Sequence, residues 1–87
     1  MKISKVEIIP IRPQQGLIGF AVVEIDEQLV LHSIAIHMRK DGGGYRLTYP
    51  TRSGSSLKEP LFHPISPNLS KEIERCIFNK AKEIFDY

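Results

Sequence analysis

The stretch Gln28-Leu29-Val30-Leu31-His32-Ser33-Ile34-Ala35-Ile36-His37-Met38 constrains this chain more than any other. At period two, Val30, Ile34, Ile36 and Met38 share one face with His32 among them, and Leu29, Leu31 and Ala35 share the other. A strand apolar on both faces belongs in the middle of a sheet covered from both sides. Two isoleucines and a valine also fit a pleated, buried surface better than a helix. The stretch is therefore a central strand, and the rest of the chain must pair with it.

The flanking segments supply those pairs. Ile3 to Ile11 alternates, with Val6 and Ile8 on one side and Lys5 and Glu7 on the other. Pro10 and Pro13 confine it to a sheet edge, because proline cannot donate to a ladder. Gln14-Gln15-Gly16 is a turn, and Leu17 to Ile25 is a second strand. Leu17, Ala21, Val23 and Ile25 are expected on one face of it, with Ile18, Phe20 and Val22 on the other. Asp26-Glu27 makes a hairpin link to the central strand without the favoured glycine. After the basic glycine loop of Arg39, Lys40, Asp41 and Gly42-Gly43-Gly44 comes a short strand, Tyr45 to Tyr49, ended by Pro50. Residues 51–58 are polar and rich in glycine and serine, which is loop composition. Glu59 to Phe62 is a candidate last edge strand.

Ser66-Pro67 is a helix start, with serine as N-cap and proline at the first helical position. Leu69, Ile73, Cys76, Ile77, Ala81 and Ile84 then recur at three- and four-residue spacing up to Phe85, which predicts an amphipathic helix. At 100° per residue, Lys71, Arg75, Asn79 and Lys82 fall within an arc of about 80°. The expected fold is α+β: a four- to five-stranded antiparallel sheet with one C-terminal amphipathic helix packed on it.

Eighty-seven residues make one domain, residues 1–87, with a thin core. A single cysteine excludes an internal disulfide, and three histidines give no zinc spacing, so no metal or cofactor is expected. A second copy of the chain is then the expected reinforcement. The start of the chain lacks a signal-peptide core, and no window is apolar enough for a membrane span, which points to a cytoplasmic protein without membrane association. Twelve basic against ten acidic residues leave a charge of +2, so the placement of cations matters more than their sum.

The cations are the functional candidates. Arg52 and Lys58 lie in the loop before the helix, Lys71, Arg75 and Lys82 form the helix stripe, and Arg39, Lys40 and Arg46 surround the glycine loop. A phosphate backbone needs flexible cations along one surface. Lys71 and Arg75 are like charges four apart, mildly destabilising unless an anion meets them. Tyr45 and Tyr49 share a face that could stack single-stranded bases or pack against the helix. His32 is expected as a hydrogen-bonded core residue, and His32 and His37 should point to opposite faces. His63 should fix the turn into the helix, and Cys76 should be an inert buried thiol. The glycine loop has neither the Walker nor the dinucleotide spacing, and no catalytic triplet or small-molecule site has a usable context. The chain is not read as an enzyme.

Several of these elements, in this order, resemble one bacterial family. They are Val30-Leu31-His32-Ser33-Ile34, then Tyr49-Pro50-Thr51-Arg52, then Phe62-His63-Pro64-Ile65-Ser66 directly before the helix. Together they resemble the stage V sporulation protein G (SpoVG) family of septation regulators, over about Met1 to Phe85. The resemblance implies a cytoplasmic homodimer that binds DNA and RNA and regulates genes, in sporulation, septum formation or surface functions. This chain carries Ser33 where the family usually has aspartate, a glycine loop about two residues longer, Arg52 alone in place of a Lys-Arg pair, and no acidic tail before Tyr87. The alternative is a non-enzymatic protein-interaction module working through the sheet edge and the helix's apolar face, with Phe78, Phe85 and the strand near Ile3–Ile9 in contact.

Overall fold

The computed structural model describes residues 1–40, 42–51 and 59–85. Four strands, β1 (Ile3–Gln14), β2 (Leu17–Ile25), β3 (Leu29–Met38) and β4 (Tyr45–Thr48), precede one helix, α1 (Pro67–Phe85). The strands pair antiparallel in the order β1-β2-β3-β4, and α1 covers one face of the sheet. This is the α+β architecture expected from the periodicities. The central stretch does lie inside the sheet, between β2 and β4, although β4 pairs only with Ala35–Met38. Glu59–Phe62 forms no strand. One bridge joins Thr51 to Pro60, and Leu61 N–H donates to the Pro50 carbonyl at 2.7 Å.

Each element has a local cause. β1 runs through Pro10 and Pro13 because it is an edge, where a missing N–H costs no ladder bond. The Gln15-Gly16 turn has positive φ at both residues, 52° and 91°, as a tight hairpin requires. Asp26 and Glu27 also take positive φ, 55° and 57°, although neither is glycine. Contacts with the start of β1 hold that second turn: Asp26 Oδ1 accepts from Lys2 N–H at 2.8 Å, and Glu27 N–H donates to Ser4 Oγ at 3.0 Å. Ser66 caps α1, its Oγ accepting from Leu69 N–H at 3.3 Å.

The core lies between one sheet face and α1. Ala21, Val23 and Ile25 of β2 and Ile34 and Ile36 of β3 meet Ile73, Ile77 and Ala81 of α1, with Tyr45 and Ile18 at its edge. Burying Ile73 and Ile77 completely contributes about 1.5–3 kcal/mol each. Phe78 and Phe85 pack against this core, so the wide apolar face of the helix is largely spent on the sheet; Ile84 stays exposed.

Two β-bulges change which residues reach the core. Between the pairs Val23–Leu31 and Ala21–Ile34, β3 places His32 and Ser33 opposite the single residue Val22. Ser33 sits at φ 66°, the left-handed conformation such a bulge uses. The alternation resets there, and Leu31 joins Ile34 and Ile36 on the helix side. His32 is consequently exposed rather than in the core, its Nδ1 3.3 Å from Ser33 Oγ. Strict alternation across the bulge therefore no longer separates His32 from His37. A second irregularity inserts Ile18 between Leu17 and Gly19, so Ile18 is buried where Leu17 was expected.

Candidate nucleic-acid interface

The outer face of the sheet, opposite α1, carries the row Ile9–Phe20–Ala35–Thr48 across all four strands. Glu7 and Val22 lie above it, then Lys5, Glu24 and Val30. Below it, toward the β1–β2 turn, lie Leu17, His37 and Arg46. Ile9 and Val30 are 53% and 51% exposed, and Phe20, Val22 and Ala35 are half-buried. No described helix covers this face. The central strand is apolar on both sides, yet among the described residues one side alone has its cover.

At the turn end of the sheet three of the sequence candidates converge. Arg39, Lys40 and Arg46 line one open cleft with His37, Gln15, Pro13, Met38 and Ile18. β3 and the loop after it bring Arg39 and Lys40 there, and the Arg39 Nε–H donates to the Tyr45 carbonyl at 3.4 Å. Arg46 arrives from β4 as the direct cross-strand partner of His37. Tyr45 and Leu47 on either side of it pack on the core, so Arg46 points away from α1. No carboxylate among the described residues lines the cleft.

His37 was not among the sequence candidates. Its Nε2 lies 2.9 Å from Thr48 Oγ1, its ring is half-buried, and it also borders the adjoining cleft of Gln14, Gln15 and Leu17. Burial, and then the Arg46 charge, push its pKa below the ordinary 6.5. Only the register of β3 on β4 sets His37 beside Arg46; in sequence they are nine positions apart.

The helix candidates are separate from this cleft. Lys71, Arg75 and Lys82 are all exposed, as expected of a stripe. Arg75 is held by Glu72 three residues earlier, with Nε 3.2 Å from Oε2 and Nη2 on the other carboxylate oxygen. That pairing raises the Arg75 pKa and lowers that of Glu72, and it relieves the like-charge contact with Lys71. Lys82 stands in the last turn of α1, the turn whose Phe85 ring approaches Gly19 at the cleft end of the sheet. Lys71 lies about 16 Å away along the helix. Arg52 and Lys58 fall outside the described residues.

The tyrosines do not form a stacking platform. Tyr45 is 4% exposed with its ring centroid 5.9 Å from that of Phe78, and Tyr49 packs edge-on against Phe62 at 6.1 Å. His63 is exposed, its Nδ1 3.2 Å from the Pro64 carbonyl oxygen at the turn into α1. Burial raises the pKa of the half-buried Cys76, consistent with an inert thiol. Among the described residues no group of three His, Cys, Asp or Glu could hold a metal, and no helix is long and apolar enough to cross a membrane.

Fold and site together define a small α+β protein with one helix-covered sheet face and a cationic cleft at the end of the other. No family model matches the chain. A curated protein of Finegoldia magna, "Putative septation protein SpoVG", is 30% identical over 87 residues, which cover 99% of this chain and 79% of that protein. The chain belongs to the SpoVG family.

Proposed function

We propose that this protein is a SpoVG-type regulator of the septation class that binds nucleic acid as a cytoplasmic homodimer, without catalysis. The carrying observation is the convergence of Arg39, Lys40 and Arg46 on one cleft with no described carboxylate among them. Cations gathered on one surface suit a phosphate backbone, which is met by charge rather than by sequence. Arg52 and Lys58 are further contacts in the loop, and Lys71, Arg75 and Lys82 are secondary, because they stand on α1 outside the cleft and Arg75 is paired with Glu72. The dimer rests on the uncovered outer face. It spans the rows from Ile9–Phe20–Ala35 up to Val30 and leaves the Leu17–His37–Arg46 row at its margin. An apolar centre of Ile9, Phe20, Val22 and Ala35 with charged residues at its margin has the anatomy of a protein–protein interface.

Equilibrium binding of a duplex across a salt series tests the nucleic-acid reading. Three cleft cations predict a fall of about 2.7 log units in affinity per log unit of salt for each copy engaged, at roughly 0.9 per phosphate. Arg39→Glu with Arg46→Glu should abolish binding, whereas Lys71→Glu should reduce it modestly. Salt-independent affinity, or silent cleft reversals, would overturn it. The uncovered outer face favours a second reading, a protein-interaction module. On that reading Ile9→Ser with Val30→Ser would abolish function while cation changes stayed silent. Sedimentation of the same double variant tests the dimer, since it should shift the protein to a monomer.

A further inference from the structure

We propose that His37 and Arg46 form a proton-coupled phosphate site, in which His37 takes up a proton from solvent as the anion enters and donates its second ring N–H to a phosphate oxygen. The inference rests on the nucleic-acid reading for its ligand but not for its geometry. His37 and Arg46 are direct cross-strand partners on the outer face, where side chains of opposed residues stand about 5 Å apart. That spacing lets one phosphate touch both.

The surroundings of His37 allow two protonation states and, among the described residues, hold no counter-ion. From β4 it faces Arg46 and Thr48, from β2 Leu17, and from β1 and its turn Gln14 and Gln15. Among the described residues of both clefts the charges are Arg39, Lys40 and Arg46, all positive. In the free protein burial, and then the Arg46 charge, disfavour the protonated ring and lower its pKa from the ordinary 6.5. The Thr48 hydroxyl is a rotor that can donate to neutral Nε2 or accept from protonated Nε2, so the 2.9 Å contact survives either state. A phosphate between the two side chains cancels the Arg46 repulsion and favours imidazolium. The neutral glutamines and Leu17 provide no other route to that stabilisation. By linkage the anion then binds more tightly as pH falls through the pKa of the bound state, by up to tenfold for each unit that it raises the His37 pKa.

The test uses a thymidylate oligomer, whose bases do not titrate near neutrality, and tripolyphosphate as an inorganic probe. The His37 ring is titrated by NMR with and without each, and affinity is measured from about pH 7.5 to 5.5. We expect both anions to raise the His37 pKa, and affinity for the oligomer to rise roughly three- to tenfold on acidification at constant salt. His37→Gln should flatten that rise while keeping the salt dependence, and His32→Gln and His63→Gln should leave it intact. An unchanged His37 pKa at saturation, or an undiminished rise in His37→Gln, would overturn the site. If tripolyphosphate shifts His37 but the oligomer binds at no pH, the phosphate site stands and the nucleic-acid reading falls.

Discussion

Gly19 is the position where the packing of sheet, edge strand and helix leaves least room. It is buried in β2, paired with Pro10 on one side and Ile36 on the other. A Cβ placed there would stand 2.9 Å from the Ile9 carbonyl oxygen, 3.2 Å from Phe85 Cζ and 3.3 Å from Pro10 Cα. The Phe85 ring is the end of a side chain in the last turn of α1 and can swing aside. The Ile9 carbonyl cannot, because it belongs to the β1–β2 ladder. A clash this close with backbone lies in the upper part of the overpacking range, about 2–3 kcal/mol, and replacing glycine by alanine in a strand returns up to about 1 kcal/mol. Gly19→Ala should therefore be destabilised by about 1–2 kcal/mol net. For 87 residues that lowers Tm by about 5–11 °C. Thermal unfolding followed by circular dichroism at one fixed protein concentration reads this directly. Phe85→Ala should not rescue it, with a coupling below about 0.5 kcal/mol, because the limiting contact is backbone. A Gly19→Ala protein as stable as wild type, or one restored by Phe85→Ala, would refute the reasoning.

Two further substitutions follow from local geometry. Glu27→Gly should raise stability by about 0.5–1 kcal/mol in chemical denaturation, because Glu27 occupies φ 57° at a cost near 1–2 kcal/mol that glycine avoids at a smaller entropic cost; a loss would mean that the Glu27 side chain holds the turn. Tyr49→Phe should be neutral or stabilising by up to about 1 kcal/mol, because the buried Tyr49 hydroxyl has no hydrogen-bond partner among the described residues. A loss above about 1 kcal/mol would show that it has one.

Much of the fold was legible because its signals are local. Ser66-Pro67 starts the helix and the three-four spacing carries it to Phe85, both settled within one or two turns of chain. Leu17–Ile25 likewise shows its strand by alternation and flanking turns. Glu59–Phe62 had two bracketing prolines, but among the described residues its pairing is the single bridge of Pro60 to Thr51, too little to make it a strand. The stacking role open to Tyr45 and Tyr49 failed because that face of β4 belongs to the core. Phe20 was placed away from the core residues of β2 in sequence, and so it lies; that nothing described covers it required the tertiary structure.

The cations were visible in sequence as three groups without a ranking. Arg75 loses weight through Glu72, a neighbour that sequence also supplied; Arg46 gains it through His37, a neighbour that sequence did not. Composition and periodicity determined the elements, their order and the residues able to meet an anion, because these depend on contacts between residues close along the chain. Tertiary structure decided which of them stand together. The bulge at Ser33 shifts alternation by one residue, and the pairing of β3 with β4 sets His37 against Arg46. Both are products of strand register, which is fixed by the packing of whole faces rather than by any short stretch.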